Sequence, residues 1–328
     1  MMSFKAFLIE RKADKVDSGF VDMDETQLDP GEVTIAVSHS CINYKDALAA
    51  TGKGKIVRRF PCIGGVDLAG RVMASQDSRF RVGDEVLAGG YDIGVAHHGG
   101  FAEIARLPAD WVVKCPAGAS PFEAMMYGTA GLTAALAVLR MEHDGLRPGN
   151  GPVLVNGATG GVGSLAIGIL AKRGYHVVAL TGKAAEVDYL KDLGAREILL
   201  RQELDLSKIK PLDKETWAGA VDNLGGDILA WLASTMKIGG TLAAVGLAAS
   251  MNLTTTVAPF ILRGVSLLGI DSVNCPMEQR ILIWRHLMGD MRFDGLERMT
   301  REIAFADLPL AFDDFIQGRA RGRVVVKL

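Results

Sequence analysis

The sequence predicts an α/β fold in which a doubly wound parallel sheet is joined to a smaller, irregular β domain. Residues 152–183 have the pattern of a strand, a glycine-rich turn, a helix and a second strand. Strands and helices then alternate to about residue 246, as in a parallel sheet covered by helices on both faces. Before residue 120, short strand-like segments are separated by glycine turns, which is typical of a small β domain.

The segment 152–183 has the size and order of a dinucleotide-binding βαβ unit. Val153–Val155 predicts a buried strand, residues 164–173 have helical composition, and residues 175–181 predict the second strand. Glycines in the turn would let a pyrophosphate approach the backbone N–H groups at the helix start. Aligned to G-x-G-x-x-G, the turn reads Ala158-Thr159-Gly160-Gly161-Val162-Gly163, so alanine replaces the first glycine. An ordinary strand–helix connection is the alternative interpretation.

The end of the second strand distinguishes between dinucleotides. An NAD site usually places Asp or Glu about 20 residues into the motif, on the ribose 2′-hydroxyl. Here the position holds Thr181-Gly182-Lys183, and the first acid, Glu186, falls in the next helix. A hydroxyl and a cation suit a 2′-phosphate. The sequence therefore predicts NADPH, with a solvated Lys183 at a helix start as the alternative.

Composition narrows the class of protein. The 328 residues suggest two domains, and 36 basic against 38 acidic residues give a net charge of −2, without the basic excess of a nucleic-acid binder. The four cysteines are far apart, which predicts neither a disulfide framework nor a zinc cluster and fits a reducing cytoplasm. Glycine and proline interrupt the longer uncharged stretches, so we expect no membrane span.

The remaining elements follow from local patterns. Ser120 and Glu123 predict a capping box at the start of a long helix. We expect the final apolar strand to pair with a strand of the N-terminal domain. The predicted strands are 3–9, 31–38, 197–200, 218–223, 241–246 and 323–328, and the predicted helices are 184–193, 227–237 and 277–288.

Six motifs together resemble a known family. They are NYKDAL (43–48), TGKGKIVRRFP (51–61), GGVDLAG (64–70), NGATGGVGS (156–164), LGIDSV (268–273) and GRARGRVVVKL (318–328). The chain resembles the medium-chain dehydrogenase/reductase superfamily, in its zinc-independent acrylyl-CoA reductase branch, whose members often carry provisional quinone oxidoreductase names. The resemblance implies a GroES-like irregular β-barrel catalytic domain (1–124 and 269–328) and a Rossmann NADPH-binding domain (125–268).

What the resemblance implies is an NADPH-dependent reductase that converts acrylyl-CoA to propionyl-CoA as a cytoplasmic homodimer. Its partner is then an acyl-CoA thioester, with no nucleic acid and no membrane. Transferred by position, the cofactor contacts are Tyr44, Thr159, Gly160, Gly161, Val162, Thr181, Gly182, Lys183, Arg201, Leu247, Ile261, Ser272 and Arg319.

Zinc enzymes of the same superfamily take their catalytic ligands from a Cys-x-x-Asp turn and a Gly-His-Glu strand. The corresponding stretches here are residues 43–46 and Gly65-Val66-Asp67, which lack the thiolate and the imidazole. We therefore expect no zinc. His97-His98, the one histidine cluster in the sequence, is interpreted as a loop feature.

Without a metal, reduction of an activated alkene requires positioning and a donor for the developing enolate. Tyr44 is the candidate catalytic residue and Asn43 a possible donor; packing at a helix start is the alternative for Tyr44. For the coenzyme A phosphates we expect a basic rim, against the alternative of a solvated loop. Its residues are Lys53, Lys55, Arg58 and Arg59.

Two other functions remain open at this stage. One is an NADPH:quinone or general enone oxidoreductase, for which the basic loop would be incidental. The other is a nucleotide-binding structural protein that kept the fold without turnover, because one fold supports many functions. For the homodimer, we expect strand pairing through residues 265–269.

Overall fold

The computed structural model describes residues 3–328, which divide into two compact units. The first contains the chain to Thr129, Val273–Arg285 and Thr300–Leu328, and the second contains Ala130–Ser272 and His286–Met299. The divisions therefore fall at 129/130 and 272/273, a few residues after the expected 124/125 and 268/269. Residues 286–299, which we expected in the first domain, lie in the second unit.

The elements are numbered here in chain order. The strands are β1 (Ser3–Lys12), β2 (Lys15–Asp24), β3 (Val33–Cys41), β4 (Cys62–Ile63), β5 (Asp67–Ser75), β6 (Glu85–Gly89), β7 (Ile104–Leu107), β8 (Val112–Lys114), β9 (Val153–Val155), β10 (Val177–Thr181), β11 (Glu197–Leu200), β12 (Trp217–Asp222), β13 (Met236–Ala244), β14 (Ser266–Gly269), β15 (Thr300–Ala304) and β16 (Arg323–Lys327). The helices are α1 (Tyr44–Ala50), α2 (Pro121–His143), α3 (Gly161–Lys172), α4 (Val187–Asp192), α5 (Gly226–Thr235), α6 (Ala258–Leu262), α7 (Met277–Met288) and α8 (Leu308–Ile316).

The second unit is built on a parallel sheet of six strands in the order β11-β10-β9-β12-β13-β14. The inner strands β9 and β10 are buried along their whole length, as expected of a sheet covered by helices. Leu154, Ala220 and Leu242 stand level on neighbouring strands and form one core with Leu232 of α5. This confirms the doubly wound α/β prediction.

The first unit contains two sheets. β2-β1-β4 form a three-stranded antiparallel sheet, and a larger sheet has the order β15-β16-β3-β5-β6-β8, with β7 also paired to β3. The closing strand β16 pairs antiparallel with β3, with Val325 opposite Cys41 and Lys327 opposite His39, as expected. Phe7, Ile42, Phe312 and Val326 are among the residues of the core between these elements and α8.

Helix α2 contains a break at Gly128, where φ is 51° and ψ is −154°. The Ser120 half of the predicted capping box is present at its start, where the Glu123 N–H donates to Ser120 Oγ at 3.1 Å. Among residues 3–328, α2 alone is long and apolar enough to cross a membrane by length and composition. Because 83% of its most apolar 18-residue stretch is buried within the protein, α2 has the burial of a core helix.

Candidate active site

The cofactor cleft of the second unit begins where the strand order reverses, between β9 and β12. Gly157, two residues after β9, has a φ of +55°, which glycine adopts without strain. Gly160 is the N-cap of α3, which begins at Gly161. A Cβ added to Gly163 would lie 2.4 Å from the Gly157 carbonyl oxygen. The turn glycine is therefore Gly157, one residue before the alanine that the fingerprint alignment placed first.

The glycine turn opens into a cleft of about 780 Å³. Five residues predicted from the sequence line it together, namely Thr159, Thr181, Gly182, Lys183 and Arg201. The predicted Gly160, Gly161 and Val162 form the first turn of α3 beside it. The other walls are the turn 224–228 and residues 249, 250, 252 and 254. The cleft places free helix N–H groups and two cations around one space, which suits a dinucleotide phosphate.

The far end of the cleft is polar and carries positive charge. Thr181 is buried, and its Oγ1 accepts a hydrogen bond from the Lys183 N–H at 3.0 Å. The Gln202 side chain donates to the Gly182 carbonyl oxygen at 2.9 Å, which fixes the loop after β10. Arg201 follows β11 directly and is exposed. A hydroxyl, backbone N–H groups and two cations thus stand at the ends of neighbouring strands.

Other predicted cofactor residues lie outside this cleft. Leu247 lines an adjoining cavity of about 270 Å³ that shares Gly225 and Ser250 with the cleft. Ile261 is 72% exposed on α6. The Ser272 hydroxyl accepts a hydrogen bond from Thr133 Oγ1 at 2.7 Å.

Two further predicted cofactor residues, Arg319 and Tyr44, belong to the first unit. Arg319 Nε donates to Asp314 Oδ1 at 3.0 Å. Tyr44 is the first residue of α1 and is 48% exposed; within the described chain its hydroxyl makes no hydrogen bond. The hydroxyl of Tyr44 is therefore open to a ligand.

A largely buried polar cluster lies beside Tyr44 in the first unit. It consists of Cys41, Asn43, Asp46, Asp67, Thr129 and Arg323. Asn43 Nδ2 donates to Asp67 Oδ2 at 2.7 Å and to Asp46 Oδ2 at 3.2 Å. The Thr129 N–H and hydroxyl both donate to the Asp67 carboxylate, at 3.0 and 2.7 Å. Asp67 therefore caps the helical segment that restarts after Gly128.

Arg323 completes the polar cluster from the closing strand. It is buried, and its Nη2 lies 2.9 Å from Cys41 Sγ while its Nε donates to the Met126 carbonyl oxygen at 3.0 Å. A Cβ on Gly128 would lie 2.6 Å from Cys41 Sγ and 2.9 Å from Arg323 Nη2. Only glycine fits there. Sequence reasoning missed Cys41, Thr129 and Arg323 as site residues, because three distant segments supply them.

Burial shifts the pKa of two groups of the polar cluster, Asp46 and Cys41. It raises the pKa of the Asp46 carboxyl to about 6, although the Asn43 and Val66 N–H groups donate to that carboxyl. Burial, and then the neighbouring Asp67, raise the pKa of the Cys41 thiol well above its usual value. Cys41 is therefore a neutral thiol at physiological pH, and the Asp46 carboxyl loses its proton at about pH 6.

The polar cluster does not fit a zinc ion. Across residues 3–328, no three His, Cys, Asp or Glu side chains come together as metal ligands. At the expected ligand positions, Asn43 presents amide hydrogens to Asp67, and Val66 contributes only its backbone N–H. His98 lies in a loop, as interpreted from the sequence, and its Nδ1 accepts the Ile63 N–H at 3.0 Å.

The four residues of the basic loop are not equivalent. Arg58 pairs with Asp92, and Arg59 forms a two-pronged pair with Asp29. Lys53 and Lys55 are exposed and form no ion pair within residues 3–328. The two lysines are therefore the cations available to a ligand, while the arginines hold the loop.

Comparisons with known proteins agree with this architecture. The sequence model of the alcohol dehydrogenase GroES-like domain matches residues 29–117, and that of the zinc-binding dehydrogenase family matches residues 161–284. The chain is 48% identical to YhfP of Bacillus subtilis, provisionally named a quinone oxidoreductase, with 99% of each chain covered. It is 46% identical to the acrylyl-CoA reductase AcuI of Ruegeria pomeroyi, over 98% of each chain. It is 45% identical to the provisionally assigned AcuI of Escherichia coli, over 99% of each.

Solved structures give the same result. The YhdH oxidoreductase of Salmonella enterica, crystallised with NADP, has a TM-score of 0.96 at 46% identity, with 99% of both chains covered. The Bacillus subtilis YhfP structure, which holds NAD, has a TM-score of 0.97 at 48% identity over the whole of both chains. These relatives and the zinc-binding dehydrogenase family model identify the chain as an oxidoreductase. The chain belongs to the medium-chain dehydrogenase/reductase superfamily, in its acrylyl-CoA reductase branch.

Proposed function

We propose that this protein reduces the C=C bond of acrylyl-CoA with NADPH, without zinc, and releases propionyl-CoA and NADP⁺. The observation that carries the proposal is the 45–46% identity, over 98–99% of the chain, to two proteins named acrylyl-CoA reductase. The overall reaction takes one hydride from NADPH and one proton from the medium. The reduction is thus balanced without any further oxidant or metal.

The second unit supplies the cofactor site. The N–H groups of Gly161 and Val162, at the start of α3, would hold the pyrophosphate. Lys183 and Arg201 would pair with the 2′-phosphate, and Thr181 fixes the loop that carries Lys183. No carboxylate stands in the segment 182–185 that follows β10, which favours NADPH over NADH. When bound, NADPH supplies a hydride to the β-carbon of the thioester.

The first unit supplies the donors for the substrate. Negative charge develops on the thioester oxygen as the β-carbon is reduced, so N–H or O–H groups aimed there lower the barrier. Tyr44, with its exposed hydroxyl, is the proposed catalytic donor. Asn43 is the second candidate; its two amide hydrogens are directed at Asp46 and Asp67, so it must release one of these bonds to donate to the substrate. Exposed Lys53 and Lys55 are proposed to contact the coenzyme A phosphates, beside a loop held by Arg58 and Arg59.

Zinc-independence forms part of this proposal. The amide hydrogens of Asn43 and the N–H and hydroxyl of Thr129 are directed at the Asp67 carboxylate, so these donors take the lone pairs that a cation would need. A polarised carbonyl in the thioester activates the alkene, which makes a Lewis acid unnecessary. One equivalent of zinc found per chain by elemental analysis would reject zinc-independence while leaving the reaction class intact.

A quinone or general enone oxidoreductase is the second candidate function. The observation that favours it is the quinone oxidoreductase name of the Bacillus subtilis relative at 48% identity. In this case the substrate would have no coenzyme A, and Lys53 and Lys55 would have no part in catalysis.

Parallel turnover assays distinguish the two functions. The nicotinamide absorbance is followed with acrylyl-CoA, crotonyl-CoA and a simple quinone, each with NADPH and with NADH. We expect turnover of the thioester with NADPH far above turnover with NADH or with the quinone. Quinone reduction with no activity on either thioester would replace the proposal with the second candidate.

We also propose a cytoplasmic homodimer, with the first unit as the catalytic domain and the second as the NADPH domain. β14 is an edge strand of the parallel sheet, and the partly exposed Leu267 lies on it, as is common where sheets pair between subunits. We expect no interaction with nucleic acid or membranes. Light scattering that gives the mass of one chain would reject the dimer.

A further inference from the structure

A buried amide–carboxylate pair joins β9 and β12 beneath the cofactor cleft. Asn156 follows β9 directly and Asp222 ends β12; the register, with Val155 opposite Val221, places them side by side. Both are 0% exposed. Asn156 Nδ2 donates to Asp222 Oδ1. The residues that line the cleft begin just beyond the pair, at Gly157 after β9 and at Leu224 after β12.

Every other polar atom of the two side chains points at a turn of the cleft. Asn156 Oδ1 accepts the Asn223 N–H at 2.6 Å, and Asp222 Oδ2 accepts the Gly225 N–H at 2.9 Å. The Asn223 side chain donates back to the Asn156 carbonyl oxygen at 2.7 Å. The pair therefore links the glycine turn after β9 to the 223–226 turn after β12.

A third loop is tied to the same place through the backbone. The Asp222 carbonyl oxygen accepts the N–H groups of Val245 and Gly246, at 2.8 and 3.1 Å. The Leu224 carbonyl oxygen accepts the Ala249 N–H at 2.9 Å. Three of the walls of the cleft thus depend on where the ends of β9 and β12 sit.

We propose that the Asn156–Asp222 pair positions the NADPH cleft, fixing the spacing of its turns without touching the cofactor. Displacements of about 1 Å in a site of this kind cost about 10²-fold in function. The inference rests on the proposed function for the identity of the cofactor. The pair itself acts on any dinucleotide that occupies the cleft.

Each single exchange leaves one hydrogen bond of the pair unmade. In Asp222→Asn, the new amide has one acceptor facing two donors, Asn156 Nδ2 and the Gly225 N–H, so one donor is left without a partner. In Asn156→Asp, two buried carboxylates face each other; they repel while both are ionised, and a hydrogen bond between them forms only if one takes up a proton. Asp222→Asn, and Asn156→Asp while both carboxylates are ionised, must move the turns apart to relieve the mismatch.

The exchange of both residues restores the hydrogen-bond pattern of the wild-type pair. In Asn156→Asp/Asp222→Asn, the new carboxylate accepts the Asn223 N–H with one oxygen and the new amide N–H₂ with the other. The new amide oxygen accepts the Gly225 N–H. Every donor has an acceptor again. The net charge is unchanged, and the negative charge now lies at position 156 instead of position 222.

The experiment compares wild type, the two single variants and the double variant. NADPH dissociation constants come from nicotinamide fluorescence, and thermal unfolding is measured on the same samples. We expect each single exchange to raise the Kd about tenfold and the double exchange to return it to within about threefold of wild type. Ser234→Ala is the matched control, because it removes another buried hydrogen bond of this unit, to the Trp231 carbonyl oxygen at 2.8 Å. It should lower the unfolding temperature without changing the Kd.

Two outcomes would overturn the proposal. Single variants that unfold at lower temperature but keep the wild-type Kd would make the pair a stability element only. A double variant that binds no better than the weaker single variant, or that fails to fold, would show that the hydrogen-bond pattern is not what positions the turns. If wild type binds NADH instead of NADPH, the cofactor proposal fails, while the ratios among the variants still test the pair.

Discussion

Replacement of Gly163 by alanine tests the geometry of the pyrophosphate turn. A Cβ at this position would lie 2.4 Å from the Gly157 carbonyl oxygen and 2.9 Å from Ala158 Cα, whereas ordinary contact begins at 3.4 Å. The turn or the helix must therefore shift by about 1 Å. Because both neighbours are backbone atoms, no side-chain rotation can relieve the clash.

The expected cost follows from that displacement. Overpacking of this kind destabilises a fold by about 1–3 kcal/mol, and the higher helix propensity of alanine offsets about 1 kcal/mol of it. NADPH affinity should fall further, by about 10- to 100-fold, because the shifted atoms form the phosphate site. The measurement is a fluorescence titration with NADPH, together with the unfolding temperature.

A matched control separates the clash from the loss of a glycine. Gly149 lies in the same unit, has no positive φ, and an added Cβ there meets nothing within 4 Å. Gly149→Ala should bind NADPH as wild type does. A Gly163→Ala protein whose Kd stays within about twofold of wild type would refute the placement of the pyrophosphate at this turn.

Other predictions concern charge and chemistry. Lys183→Ala should raise the KM for NADPH about tenfold and leave that for NADH unchanged, as one charged hydrogen bond to the 2′-phosphate is lost; equal effects on both cofactors would reject this role. Tyr44→Phe should lower kcat by about 10²-fold with little change in NADPH affinity, and unchanged turnover would remove Tyr44 from catalysis. Exchange of Lys53 and Lys55 for glutamate should raise the KM for acrylyl-CoA but not for a small enone; a parallel rise for both would contradict coenzyme A binding there. Burial raises the pKa of Asp46 to about 6, so its ionisation costs folding free energy as pH rises through that value. From pH 5 to pH 8, the free energy of unfolding of Asp46→Asn in urea should therefore rise by about 1 kcal/mol relative to that of wild type. A difference between the two proteins that stays constant over this pH range would contradict the raised pKa.

Local sequence signals predicted the second unit well. The fold class and family expected from the sequence are confirmed, and the activity and NADPH cofactor expected from it agree with the comparisons. β11 and α7 have the predicted bounds, because an apolar run or a helical period defines each without help from distant residues. α3 begins three residues earlier than predicted, since its first three residues include two glycines, which do not indicate a helix.

Long-range contacts account for what the sequence did not reveal. β2 has a polar, glycine-containing pattern and is stabilised by pairing with β1 along its whole length, so it was not predicted. The bond between Asn156 and Asp222 joins residues 66 positions apart. Cys41 and Arg323 meet because β16 returns beside β3. None of these contacts leaves a periodic pattern in a single sequence.

Hydride transfer from NADPH to the β-carbon of acrylyl-CoA is tested most directly by isotope labelling. Acrylyl-CoA is incubated in ordinary water with NADPH that carries deuterium at nicotinamide C4 on both faces, and the thioester product is analysed by mass spectrometry and NMR. We predict propionyl-CoA with one deuterium, on its β-carbon. Thioester recovered unreduced, or propionyl-CoA without deuterium at that carbon, would contradict the proposed reaction.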